Sequence, residues 1–111
     1  MSPRRFEVLW TETAIRDLEE IVDYYVEQDA PLAAQRIFDS IAESSRTLDL
    51  MPLRGRIVPE LARFEITIYR ELIIPPHRML YRVSADSVFV VGVFDSRRNL
   101  EDLLLARFLR R

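Results

Sequence analysis

Arginine is the residue type on which most of this chain's chemistry rests. The 111-residue sequence holds 16 basic residues, all of them arginine, with a single histidine and no cysteine. A guanidinium offers a planar fork that grips carboxylate or phosphate with two bonds, and it keeps its charge at neutral pH. It can hold and stabilise an anion, but its pKa is too high for it to serve as a base. The missing cysteines exclude disulfides and thiolate metal sites, and one histidine is too few for an imidazole metal cluster. No metal and no cofactor is therefore implied. The candidates for gripping a phosphate or an acidic protein surface are Arg70, Arg78, Arg82, Arg97 and Arg98. The first three also have a structural reading, as cross-strand partners of Glu65, Glu71 or Asp86. Glu60, Glu65, Glu71 and His77 are available as acids or bases, but no spacing singles one out. No catalytic residue is assigned.

The arginines are unevenly placed. Residues 1–50 carry a balance of −6 and residues 51–111 a balance of +4, within a net charge of −2. Any phosphate or acidic partner therefore belongs to the second half. The apolar fraction of 49 % and the length suit one soluble domain, residues 1–111. No apolar run approaches the roughly 20 residues of a membrane span, and no signal peptide is recognised, so the expectation is cytoplasmic and membrane-free.

The elements that must position these residues follow from periodicity. Phe6–Trp10 alternates as a short strand. Thr11 is an N-cap, and Ala14, Leu18, Ile21, Val22 and Tyr25 make one apolar stripe of a helix running to about Gln28. Asp29-Ala30-Pro31 stops it and starts a second helix, with a stripe of Ala33, Ala34, Ile37, Phe38, Ile41, Ser45 and Leu48. So short a link makes the two helices antiparallel. Met51-Pro52 ends the second, and Leu53–Glu60 reads as irregular. Three strands follow, Phe64–Ile74, Arg78–Ser84 and Val88–Phe94. The last is apolar on both faces, as in a strand covered on both sides. Asn99 with Asp102 resembles a capping box for a final helix whose apolar side is Leu100, Leu103, Leu104 and Phe108. Arg107, Arg110 and Arg111 lie near its C-terminus, where the helix dipole favours positive charge. That helix either covers the second sheet face or presents its leucines to a partner. Strand, helical hairpin, three-stranded antiparallel meander and short C-terminal helix make an α+β fold with helices on a mostly antiparallel sheet.

In this order the residues T11-x-x-A14-x-x-D17-L18-x-x-I21-x-x-Y24-Y25, A33-A34, L48, P52, G55, R70-E71-L72, H77-R78-M-L-Y81-R82-V83 and F94-D-S-R97-R98 resemble the RelE/ParE superfamily. These are the toxin halves of bacterial type II toxin–antitoxin modules, and the resemblance covers nearly the whole chain. It implies one of two activities. RelE-like members cut messenger RNA on the ribosome, and Arg78 stands where that branch has an arginine. The lysines such enzymes use have no counterpart in a chain without lysine, and Ser96-Arg97 stands where some members carry His-Tyr. ParE-like members are implied to bind DNA gyrase and trap it with cleaved DNA, which requires no catalytic pair. Arg70–Leu72, Tyr81–Val83 and the Arg97-Arg98-Asn99 step resemble this branch, which is favoured. A third reading is a non-toxic relative that only binds its antitoxin.

The resemblance also implies partners. These are DNA gyrase and a ParD-like antitoxin whose extended tail wraps the toxin, in a heterotetramer or beside a toxin homodimer. Exposed apolar positions around the helical hairpin and the sheet edge are the expected dock, with Val22, Val26, Phe38 and Leu61 as its candidates.

Overall fold

The computed structural model describes residues 4–109. In chain order it contains β1 (Glu7–Trp10), α1 (Glu12–Glu27), α2 (Pro31–Arg46), a 3-10 turn (Thr47–Asp49) and β2 (Arg56–Ile57). Then come α3 (Pro59–Ala62), β3 (Tyr69–Ile74), β4 (His77–Ser84), β5 (Ser87–Asp95) and α4 (Leu100–Leu109). The α+β fold matches the sequence-based expectation, as do both helix starts. Thr11 Oγ1 accepts from the Ala14 N–H at 3.1 Å, and Pro31 opens α2. The C-terminal arginines Arg110 and Arg111 lie outside the described residues.

The meander is present, but it is part of a larger sheet. Five strands lie in the order β1-β5-β4-β3-β2, with β1 parallel to β5 and the other pairs antiparallel. Two expectations are corrected. Strand structure does not begin at Phe64, because α3 continues into a turn in which Ile66 N–H donates to Leu61 O at 3.1 Å and Glu65 takes φ 63°. A left-handed residue interrupts an extended chain, so pairing starts only at Tyr69. The stretch Leu53–Glu60 is not wholly irregular, since it supplies β2 and the start of α3.

Two cores flank the sheet. On one face α1, α2 and the 3-10 turn bury Ala14, Ile41 and Leu48 against Leu72, Met79, Tyr81, Val88, Val90 and Val93. On the other, α3 and α4 bury Val58, Leu61, Leu100 and Leu104 against Leu80, Val91 and Phe94. Each such Leu or Ile contributes about 1.5–3 kcal/mol by leaving water. The alternation of β4 assigns its faces as read, Met79 and Tyr81 to the first core and Leu80 to the second. The final helix covers the second face with Leu100 and Leu104. Asn99 holds its first turn, with Nδ2 donating to Asp102 Oδ2 at 3.1 Å.

Candidate functional site

Arg78 is committed to the fold. The register sets it opposite Ile73, and therefore diagonal to Glu71 on the same sheet face. Its Nε donates to Glu71 Oε1 at 2.6 Å and its Nη2 to Glu71 Oε2 at 3.0 Å. The same guanidinium grips Glu60 of α3 through Nη1 at 2.6 Å and Nη2 at 2.7 Å. Arg56 Nε on β2 adds a bond to Glu71 Oε2 at 2.7 Å. Arg78 is 7 % exposed and Glu71 1 %. The bonds to Glu60, then those to Glu71, push the Arg78 guanidinium above its ordinary value against the opposing effect of burial. The Arg78 bond likewise holds the Glu60 carboxyl below the usual range. Of the cross-strand partners expected for this arginine, Glu71 is the one it takes.

Arg70 and Arg82 take other partners. Arg70 Nη1 donates to Gly55 O at 2.8 Å, tying down the loop before β2. Gly55 N–H in turn donates to the Tyr81 hydroxyl at 2.9 Å. A Cβ on Gly55 would stand 2.5 Å from Glu71 O and 2.7 Å from Tyr81 Oη, so only glycine fits. Arg82 lies 4.8 Å from the centre of the Phe89 ring, a cation–π contact.

Arg97 and Arg98 sit at the rim of a cleft of about 470 Å³ between α1, the end of β5 and α4. Ile21, Tyr24, Tyr25, Phe94 and Leu103 form its walls. Tyr24 is 55 % exposed and meets Tyr25 edge to face at 5.3 Å. Asp17 Oδ2 accepts from both the Val93 N–H at 3.1 Å and Arg107 Nη1 at 2.6 Å, which clasps α1 to α4. Arg97 folds back onto Asp95, with Nη2 to Oδ2 at 2.6 Å, and this bond pulls the Asp95 carboxyl far below its ordinary value. Arg98 is exposed, and its side chain takes no hydrogen-bonding partner among the described residues. His77 lines the cleft from beneath. Burial lowers its pKa below the ordinary 6.5, the Asp95 charge opposing and Arg97 assisting. It is neutral at pH 7.

The opposite flank of α1 bounds a second groove, of about 370 Å³, which is almost wholly apolar. Trp10, Ile15, Leu18, Val22 and Phe38 line it, with Glu19 and Asp23 on its rim. Of the expected docking residues, Val22 and Phe38 are brought together here. Val26 stands exposed one helical turn beyond Val22. Leu61 is withdrawn: it is fully buried in the second core, because the α3 turn faces inward under α4.

A family profile described as the ParE toxin of the type II toxin–antitoxin system parDE matches residues 8–100. The chain belongs to the ParE toxin family. The RelE/ParE resemblance of the sequence is thus borne out, and the chain is the toxin of a type II toxin–antitoxin module with an antitoxin as its partner. This ParE-family toxin is 32 % identical over 92 residues to a protein named Toxin RelE2 from Caulobacter vibrioides, covering 83 % of this chain and 97 % of that one. Its fold is similar to that of a chain from a chromosomal ParDE system of P. aeruginosa. There the TM-score is 0.68 at 23 % identity, over 83 % of this chain and 97 % of the other. Among its described residues no helix is long and apolar enough to cross a membrane.

The sequence singles out the Arg97–Arg98 step but not the cleft beside it. The sequence puts Tyr25 on the apolar stripe of α1 and reads Arg107 as a helix-dipole residue. Tyr24 falls off the apolar stripe of α1, and that was the available signal. Nothing local links Arg107 to Asp17, since 90 residues separate them.

Proposed function

We propose that this toxin acts by binding DNA gyrase and trapping it with cleaved DNA, and that it does not cleave RNA. One observation carries the reading. Arg78, which stands where the RelE-like branch has an arginine, is nine-tenths buried and neutralised by Glu60 and Glu71. A scissile phosphate brought to it would meet two carboxylates already in place. The exposed Arg97–Arg98 step supports the binding role, because loop residues held past a sheet end are both accessible and well supported. The apolar groove supports a place for the antitoxin. Val22 and Phe38 would receive the apolar side of an amphipathic segment, and Glu19 and Asp23 would meet its basic residues.

The decisive assay is supercoiling of plasmid DNA by gyrase in the presence of the purified chain. Lost supercoiling with accumulated cleaved DNA is expected. Substituting both Arg97 and Arg98 with alanine should remove the inhibition while leaving the circular dichroism spectrum and antitoxin binding unchanged. Full inhibition by that folded variant removes these arginines from the site. Unaffected supercoiling with folded wild-type chain overturns the gyrase reading, and ribosome-dependent mRNA cleavage becomes the next assay.

A further inference from the structure

The outer edge of β5 is only partly closed where it borders the cleft. β1 is four residues long and pairs only with Ser87–Val90 of β5, and Thr11 N–H closes that ladder on Val90 O at 3.1 Å. β5 continues to Asp95, so among the described residues Val91–Asp95 has no strand on its outer side. The register against β4 passes from Tyr81↔Val90 to Leu80↔Gly92, leaving Val91 as an extra residue in a bulge. The bulge resets which backbone groups face outward. Val93 N–H points away from β4, to Asp17, whereas Ser96 N–H points the other way, to Pro76 O at 2.8 Å. A residue's N–H and C=O share a side, and the side alternates along a strand. Val93 C=O and Asp95 N–H therefore face the cleft, two residues apart, as one acceptor and one donor of an unfinished ladder. The Asp95 carbonyl on that side is used by the turn, accepting from Arg98 N–H at 3.2 Å.

The charges narrow the occupant. The lining holds three carboxylates, Asp17, Glu20 and Asp95, and three arginines, Arg97, Arg98 and Arg107. Two internal pairs, Asp17–Arg107 and Asp95–Arg97, leave Glu20 and Arg98. A nucleic-acid strand brings uniform negative charge and would meet Glu20 unfavourably. A peptide brings the main-chain donor and acceptor that the edge lacks, a carboxylate for Arg98, and an apolar side chain for the surface formed by Tyr24, Tyr25 and Leu103. Strand addition of this kind takes its affinity from backbone bonds and its specificity from alternate side chains.

We infer that the half-edge Val93–Asp95 receives an extended segment of the toxin's protein target, with an acidic side chain of that segment against Arg98 and an apolar one against Tyr24 and Tyr25. The inference rests on the gyrase reading and names the kind of segment that would be held.

The test places the photo-crosslinking residue p-benzoylphenylalanine at Tyr24 or, as a control, at Leu32 on α2, which is 72 % exposed and lines neither the cleft nor the apolar groove. Each full-length variant is irradiated with intact gyrase and plasmid. Labelling of a gyrase peptide containing Asp or Glu from position 24, and not from 32, is expected. In the Tyr24-labelled chain, Arg98→Glu should lower the yield about tenfold, because charge reversal opposes a carboxylate. Its melting midpoint should not move. Equal labelling from both positions, labelling of DNA alone, or an undiminished yield with Arg98→Glu overturns the inference. Wild-type chain is assayed in parallel: inhibition of supercoiling without labelling from position 24 sinks this inference alone, whereas absent inhibition sinks the gyrase reading on which it rests.

Discussion

Arg78 and Arg98 belong to the same end of one sheet, since β4 begins at His77, β5 ends at Asp95, and those two residues are paired. Their surroundings are nonetheless opposite. Arg78 leaves the sheet on the α3 side, between a buried and a half-buried carboxylate, and every nitrogen of its guanidinium is engaged. Arg98 leaves from the turn beyond the sheet and faces solvent at the mouth of a cleft. The same side chain serves as a clasp in one place and, among the described residues, as an unpaired cation in the other. Burial with paired carboxylates makes an arginine structural, and accessibility without a partner makes it available for binding.

The comparison can be broken most forcefully at the buried end. Arg78→Ala strands Glu71 without its main partner, and losing one member of a buried ion pair costs about 3–5 kcal/mol. Urea unfolding should show that loss, and a change below about 1 kcal/mol would mean the network is far wetter than its burial indicates. Next in size is the clasp between helices on opposite faces. Asp17→Ala removes a charge-assisted bond to Arg107 and the acceptor of Val93 N–H, with an expected cost of about 1.5–3 kcal/mol. It should also speed amide exchange at Val93, whereas unchanged exchange there would show the edge held by something else.

His77, paired with Asp95 at this end of the sheet, gives a pH test. Its folded pKa lies below the ordinary 6.5, so on unfolding it takes up a proton. The unfolded state binds more protons in that window, and the contribution is fully present above 6.5 and lost as pH falls through the folded value. The melting midpoint should fall on acidification below 6.5 and do so less steeply in His77→Gln. Equal slopes would place the imidazole in water. The smallest stability effect belongs to Arg98. Arg98→Ala should change stability by no more than about 0.5 kcal/mol while weakening gyrase inhibition. A larger loss of stability would erase its contrast with Arg78.

Much of the fold was legible because its signals are local. Thr11 and Pro31 set helix starts through groups one turn away. The alternation of Arg78–Ser84 and the two-sided apolar run of Val88–Phe94 assigned strand faces correctly. The apolar groove was partly legible, since Val22 and Phe38 were both named from helix stripes. Leu61 was misjudged because its turn, α3, is too short to show a periodicity, and its burial depends on α4, which begins only at Leu100.

By itself the sequence determined the order of the major elements without β2 and α3, the antiparallel meander, the exclusion of thiolate and imidazole metal chemistry, and the family, since each rests on residue type and short-range spacing. Only the tertiary structure decided that β1 joins β5 in parallel and stops half-way along it, and that Glu60 and Glu71 close on Arg78. It alone placed Asp17 and Arg107 together at the edge of β5, where Asp17 accepts from Val93 N–H. These arrangements depend on contacts between segments tens of residues apart, whose geometry is set by how two cores pack against one sheet, and no local pattern carries that information.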